Sequence, residues 1–510
     1  MSSAARISRL LRDHAEERPD HAAVLHESGT TGWRALAHRI DQIIETMPDP
    51  ASTPRAVLLV GSSSPGFVAA FYAIVLSGRV AVPALSSTPE PELARMAHMV
   101  HADLVIVVDS GDAPAGRAFL DTMADRIDVD VRGHVTSTRR GDSLASSEEV
   151  IPPESVLVCF TSGSTGLPKA VVHGEDSLLL GAESYACDVL DGRCIPVMST
   201  LPLSHAGAIS VTLLACLVGG SPLVCMGPFT VDRFAAASKL AEDQVVMLIP
   251  TMVHMIAREA RPFSSGDFAV VVLSGSAVES SVAERAEELF RAPVKVGMGM
   301  SECPGCFVLT PPGLPASHLH HALGRCSQGF ETKWEPASDL HADDDQVGEL
   351  LVRPSRAAIG YLQADGTMRR IPDAEGWIAT GDLVANSSDG IYVLKGRRKE
   401  MYIRGGYNVF PAEVEVALSG FPGVSESAVH GVHDPVLGEK GQAWIVVDDP
   451  ETFRIEELQR FLIDELARYK IPDRIDIIER LPKNAVGKVD KPALVSRFRA
   501  RAHDMSGEPR

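Results

Sequence analysis

An apolar, β-branched run, Ser155-Val156-Leu157-Val158-Cys159, leads without a break into Phe160-Thr161-Ser162-Gly163-Ser164-Thr165-Gly166-Leu167-Pro168-Lys169. The first part has the pattern of a buried strand. The second packs four hydroxyls, two glycines and a lysine into ten residues. A strand feeding such a loop presents backbone N–H groups and hydroxyls to a polyanion. Glycines let the backbone approach closely, successive amides form an anion nest, and the lysine adds a point charge. The implied ligand is a nucleoside triphosphate. The loop is not the Walker phosphate loop, because Lys169 follows Pro168 and precedes Ala170. Ser/Thr/Gly loops are also common as plain solvated turns, so the rest of the chain has to decide.

Apolar runs alternate with helical patterns over the first three quarters. Ala56–Val60 precedes a helix around Phe67 to Leu76, and Val245–Ile249 precedes a helix from Met252 to Glu259. Alternation of this kind predicts layered α/β structure with largely parallel strands. The character changes near residue 396. The chain beyond it mixes a helix (Ala412 to Leu418), strands (Ser427 to Val432, Ala443 to Val447) and an amphipathic helix from Ile455 to Arg468. The expected organisation is therefore an α/β core over 1–396, a charged hinge at 397–400 and a small mobile α+β domain over 401–510.

At 510 residues the chain is long enough for more than one domain. Its net charge of −19 argues against nucleic acid and anionic membrane as partners. Eight scattered cysteines and an N-terminus without an apolar leader predict reduced thiols in the cytoplasm. Residues 209–226 are uncharged, but Gly219-Gly220-Ser221-Pro222 interrupts them, so they read as a buried helix, a turn and a strand rather than a membrane span. A lone CxxC, Cys303 to Cys306, precedes His318, His320 and His321. Without a second pair it is a weak signal for zinc or redox chemistry.

Residues 160–169 resemble the signature of the adenylate-forming superfamily, which includes acyl-CoA synthetases, luciferases and peptide-synthetase adenylation domains. Ala170 stands where the family usually has glycine. Further segments match in the family's order. Gly297-Met298-Gly299-Met300-Ser301-Glu302 resembles Y-G-x-T-E, with Met298 in place of the aromatic residue. Trp377 to Asp382 resembles Y-x-T-G-D. Lys399 to Glu415 resembles the family's hinge and adjoining loop. Leu481 to Lys488 resembles P-K-x-x-x-G-K.

The resemblance implies ATP and Mg²⁺ as cofactors and a first step that joins a carboxylate to AMP. It implies that Thr161, Ser162, Gly163, Ser164, Thr165, Gly166 and Lys169 hold the nucleotide phosphates. Gly275, Ser276, Gly297, Met298, Gly299, Met300 and Ser301 line the rest of the ATP site. Asp382 and Arg397 hold the ribose, Glu302 is the Mg²⁺ ligand, Lys399 is the hinge pivot and Lys488 the catalytic lysine. Thr161, Glu302 and Lys488 form the catalytic set. His205 and Gly207, in Leu201 to Gly207, match the family's substrate gate, with Gly220 and Phe330 as pocket-shaping positions. A stacking role for Phe330 requires that it point inward.

The acid has to be read from the pocket. The gate segment lacks the aspartate that α-amino-acid members carry. Asp232 lies at the start of a helix that borders the acyl pocket in related ligases. It reads either as a first-turn acid behind the Thr230 cap or as the partner of a β-ammonium. The second reading matches stand-alone enzymes of macrolactam pathways, which load β-amino acids onto a carrier protein. There a buried carboxylate would face a buried ammonium, and the des-amino acid would be rejected. A fatty or aryl acyl-CoA synthetase and a catalytically silent adenylate-binding protein are the alternatives. The acceptor thiol is that of an acyl carrier protein or of coenzyme A.

Overall fold

The strand Ser155–Thr161 is buried from Ser155 to Cys159 and turns back on itself, antiparallel to Lys169–Gly174. It belongs to a nine-stranded sheet in a computed structural model that describes residues 4–48, 56–102, 104–109, 114–123, 125–139, 150–161, 169–259, 263–319, 321–336, 347–386, 390–483, 489–491 and 493–496. The parallel centre of this sheet is Asp125–Val129, Leu104–Val108, Ala56–Val60, Val80–Ala84 and Ser155–Thr161. Beyond Lys169–Gly174 it ends in the short antiparallel strands Gly360–Leu362 and Met368–Arg369.

Such strands are apolar throughout because both faces are covered. In Ala56–Val60, Val57 and Leu59 join one core, whereas Ala56, Leu58 and Val60 join another. The first core lies between this sheet and a second, thirteen-stranded one, whose Val245 and Met247 it also contains. The helices Trp33–Thr46, Pro65–Leu76 and Glu175–Asp188 fill the space. Pro65–Leu76 is buried on all sides up to Val75, as a helix between two sheets must be. The Ser64 hydroxyl caps its start by accepting from the Phe67 N–H at 3.2 Å.

The larger sheet departs from the parallel expectation. Its first part, Ala22–His26, Leu223–Cys225, Val197–Ser199, Gln244–Leu248, Phe268–Leu273 and Val294–Met300, is parallel. The remainder, from Cys303–Leu309 to Phe330–Pro336, is antiparallel. Strand alternation with helices stops near residue 290, and tight connections such as Ser301-Glu302 permit only antiparallel neighbours.

Residues 206–226 form a buried helical run, Ala206–Gly219, whose middle, Ile209–Leu214, is π-helical. It ends at Gly220 with φ 63°, and the strand Leu223–Cys225 comes next. No helix among the described residues is long and apolar enough to cross a membrane.

The last ladder of the large sheet, Ile378–Asn386 with Tyr392–Arg397, is followed by a turn at 398–400, where Glu400 N–H donates to Arg397 C=O at 3.0 Å. A separate five-stranded sheet then begins at Tyr402–Arg404. Helices Pro411–Ser419 and Ile455–Glu465 pack on it around Val414, Leu418, Val429, Ile445, Leu458 and Leu462. The second helix stops before the expected Arg468, because Leu466 is extended and turns its side chain into this core. The small domain meets the large one through Arg258, which donates to Asp448 at 3.2 Å.

Candidate active site

The residues 162–168, with Ser162, Gly163, Ser164, Thr165 and Gly166, lie outside the described residues, but both ends of that loop are described. Thr161 and Lys169 are directly opposite each other in the hairpin ladder. Two residues on, Val171 faces Tyr361, and Tyr361 in turn faces Arg369. Opposite and diagonal partners in a sheet share a face. Lys169 Nζ therefore sits 5.1 Å from the centre of the Tyr361 ring, and the Arg369 guanidinium 4.6 Å from it.

Glu302 arrives from the other sheet. Met300 pairs with Cys303, which leaves Ser301 and Glu302 as the tip of a tight hairpin. The Tyr361 hydroxyl donates to Glu302 Oε1 at 2.6 Å. Burial, followed by the Glu302 hydrogen bond, pushes the phenol pKa well above its ordinary value, so the group stays a donor. Behind the tip, burial holds the His173 imidazole neutral, with its pKa lowered to about 4.

The glycines of the hairpin have a packing reason. A Cβ at Gly297 would lie 2.8 Å from Cys306 Sγ, and one at Gly299 would collide with the Gly305 carbonyl. Met298 and Met300 are partly buried against the cluster around Phe307. Gly275, with φ 91°, and Ser276 form an exposed turn after Phe268–Leu273.

Asp382 is 5% exposed and faces Arg397 across the ladder Ile378–Asn386 with Tyr392–Arg397. Arg397 Nε donates to Asp382 Oδ1 at 3.0 Å, while the arginine side chain is 63% exposed. Glu349, which no sequence motif marks, braces this corner. It accepts from the Gly381 N–H at 3.1 Å and from Arg398 at 2.8 Å. Lys399 is exposed in the turn 398–400.

Lys488 lies outside the described residues, but both flanks of its segment are fixed. Lys483 and Val489 form an antiparallel bridge. Lys491 Nζ then binds Glu400 at 2.7 Å and Glu415 at 2.8 Å.

His205 is half-buried and precedes the helical run Ala206–Gly219. The neighbouring Ser204 carbonyl accepts from Cys159 Sγ at 3.6 Å, so the gate segment abuts the strand that leads into the 160–169 loop. Space is open where a Cβ would stand on Gly207. Two pocket assignments are corrected. Gly220 is a helix end whose Cβ would meet Arg18 at 2.9 Å and His14 at 3.1 Å, against the N-terminal helix. Phe330 packs in the core 6.3 Å from the Phe307 ring, so it does not point into a pocket.

Asp232 is exposed rather than buried. It occupies the first turn of Val231–Ala237, behind Thr230, whose hydroxyl accepts from Arg233 N–H at 3.1 Å. Cys303 and Cys306 are buried, and burial pushes the Cys306 thiol up to about 12. Neither is primed as a thiolate. His320 lies outside the described residues.

No cluster of three or more His, Cys, Asp or Glu suited to a metal occurs among the described residues. Mg²⁺ does not need one, since it keeps waters and phosphate oxygens and takes one or two carboxylates from the protein. Glu302 fits that requirement, with one oxygen fixed by Tyr361.

Tyr361, Arg369 and Glu349 were not found from the sequence. The usable signal was the strand-like triplet Gly360-Tyr361-Leu362 followed by an Asp365-Gly366 turn, a hairpin pattern. Its pairing with Lys169–Gly174 spans nearly 190 residues and has no local signature.

AMP-binding enzymes as a family match residues 11–362, and the family's C-terminal domain matches residues 413–488. A 3-[(3aS,4S,7aS)-7a-methyl-1,5-dioxo-octahydro-1H-inden-4-yl]propanoyl:CoA ligase of Rhodococcus jostii is 30% identical over 76% of this chain and 73% of its own. A feruloyl-CoA synthase of Amycolatopsis is 28% identical over 94% and 96%. The fatty acid–[acyl-carrier-protein] ligase ScoC of Streptomyces coeruleorubidus is 26% identical over 95% of each chain. The fold is that of ATP-bound MatB from Rhodopseudomonas palustris, with a TM-score of 0.83 over 98% of this chain and 99% of that one, at 20% identity. These matches place the chain in the AMP-binding enzyme family, to which it belongs as an AMP-forming ligase.

Proposed function

We propose that this enzyme activates an apolar or aryl carboxylic acid and passes it to the thiol of coenzyme A. In the first half-reaction a carboxylate oxygen attacks the α-phosphorus of ATP, and the bond to pyrophosphate breaks. In the second, the thiol sulfur attacks the acyl carbon, the bond to AMP breaks and the thiol proton leaves. The carrying observation is the meeting of two hairpin ends, Thr161 with Lys169 and Ser301 with Glu302, through Tyr361. It puts a cation, a hydroxyl and a carboxylate around one place.

In this reading Lys169 holds the outer phosphates and Mg²⁺ bound through Glu302 neutralises the chain of phosphates. Asp382 accepts from the ribose hydroxyls. Lys488 meets the α-phosphate and the attacking carboxylate as charge builds between them. The turn at Lys399 is the hinge on which the small domain rotates between the half-reactions.

The apolar acid is supported by the run Ala206–Gly219 behind His205, which has no charged residue. Its two hydroxyls are bound internally, Ser210 to the Leu178 carbonyl and Thr212 to the Ala208 carbonyl. An unpaired ammonium against such a wall would be costly. The names of two of the relatives, feruloyl-CoA synthase and a fused-ring propanoyl:CoA ligase, point the same way.

A second reading keeps the β-amino acid and a carrier protein. It is favoured by Ser63, whose hydroxyl accepts from Leu203 N–H at 3.2 Å and whose carbonyl accepts from Gly227 N–H at 3.1 Å. This ties the gate segment to the segment that leads into Asp232. ScoC is named for a carrier-protein acceptor.

Pyrophosphate release with 3-amino acids and their des-amino counterparts separates the two. Turnover of the des-amino alkyl and aryl acids supports the first reading. Turnover confined to 3-amino acids, lost in Asp232→Ala, overturns it for the second.

A further inference from the structure

Tyr361 has a peculiar set of neighbours for a residue that no motif singles out. Its hydroxyl is committed to Glu302 Oε1 at 2.6 Å. The Lys169 ammonium and the Arg369 guanidinium both lie over its ring. The strand that carries it, Gly360–Leu362, is a short edge segment held by Lys169–Gly174 on one side and Met368–Arg369 on the other. The same ladder therefore places the ring beside Lys169 and aims the hydroxyl at a residue from the other sheet.

A carboxylate at a hairpin tip turns freely unless something holds it. A phenol O–H on one oxygen selects one orientation and leaves the second oxygen for another ligand. A cation over the ring face is attracted by the negative face of the π-system, the more so when desolvated. The ring thus gives Lys169 a seat. An acid in that seat would neutralise the lysine and repel phosphate, whereas an aromatic ring steers it and leaves the charge available.

We propose that Tyr361 is a positioning residue that sets Glu302 for the metal of Mg·ATP and Lys169 for the phosphates, acting through each without touching the reacting atoms. The inference rests on Glu302 as the Mg²⁺ ligand, a role assigned in the proposed function.

The test uses the full-length enzyme with a non-cleavable α,β-methylene analogue of ATP, titrated with Mn²⁺ and followed by electron paramagnetic resonance. Groups that orient a metal ligand typically account for about 10- to 100-fold in metal affinity. Tyr361→Phe keeps the ring and removes only the hydroxyl. It should weaken Mn²⁺ binding at least about tenfold, with unchanged melting and unchanged affinity for the carboxylic acid. In a Glu302→Gln background the same change should have no further effect, because the hydroxyl acts through the carboxylate. Tyr361→Leu, which also removes the seat of Lys169, should weaken binding of the analogue itself.

The two assignments fail separately. If Glu302→Gln leaves Mn²⁺ affinity unchanged, Glu302 is not the metal ligand and the proposed site is wrong. If Glu302→Gln weakens Mn²⁺ and Tyr361→Phe does not, only the role of Tyr361 is overturned. Should Tyr361→Phe melt early, the Glu302→Gln background still decides, since a purely structural defect adds to that substitution and a positioning defect does not.

Discussion

Arg397 reaches across the last ladder of the large sheet to Asp382, its Nε 3.0 Å from a carboxylate that is almost wholly buried while the arginine itself is mostly in solvent. The pair joins the final strand before the turn at 398–400 to the residue proposed to hold the ribose. A hydrogen bond to a charged group contributes about 1.5–3 kcal/mol. Asp382→Asn keeps the shape, removes the charge and turns one acceptor into a donor. The ATP KM should rise roughly 10- to 100-fold. Melting should change little, since Arg397 stays hydrated. Steady-state kinetics and thermal melting of the one variant check both statements.

Glu279 gives the domain interface a pH dependence. It precedes the helix Ser280–Phe290 and faces the Ser281 hydroxyl, together with Ser419 and Glu415 of the small domain. Burial, more than the neighbouring Glu415, raises its pKa from 4.5 to about 7. The folded protein thus holds this proton more tightly than the unfolded chain. The associated stability is full at or below pH 4.5, declines as pH rises to 7, and is gone above it. Glu279→Gln mimics the protonated form. Its melting curve should lose that slope and lie roughly 2–4 °C above the parent at pH 8. Paired melting scans from pH 5 to pH 8 measure the difference, and parallel curves would refute it.

Lys491 holds two acids at once, Glu400 at 2.7 Å and Glu415 at 2.8 Å. Its side chain is 20% exposed, Glu415 22% and Glu400 39%. Removing one partner of a buried pair costs about 3–5 kcal/mol. Partial exposure of the acids reduces this, so Lys491→Met should destabilise the small domain by about 2 kcal/mol. Denaturant unfolding followed at Trp444, which is buried in that domain, would register the loss.

The sequence exposed whatever was locally periodic or locally odd. Val57 and Leu59 could be read as buried, because short-range pattern decides that. The antiparallel half of the large sheet was not anticipated because strand direction is set by the connections, such as the tight Ser301-Glu302 turn, and not by the composition of the strands. Phe330 and Gly220 were misplaced for a related reason. Each lies near the expected pocket segments in order, but Phe330 points into the core beside Phe307 and Gly220 faces His14. Tyr361 escaped notice because a sheet register, not a motif, brings it to Lys169 and Glu302. Register is a long-range property, set only when distant strands pair.

The clasp at Lys491 has a mechanical meaning. Glu400 belongs to the turn between the domains, and Lys491 lies three residues beyond Lys488, past the Lys483–Val489 bridge. The turn and the residues just past the bridge are thus bolted to one lever arm. If the small domain turns about 398–400, as proposed, Val489 to Lys491 must follow the turn as one piece. Loosening the clasp would cost the small domain stability and let the turn move without the residues beyond the bridge.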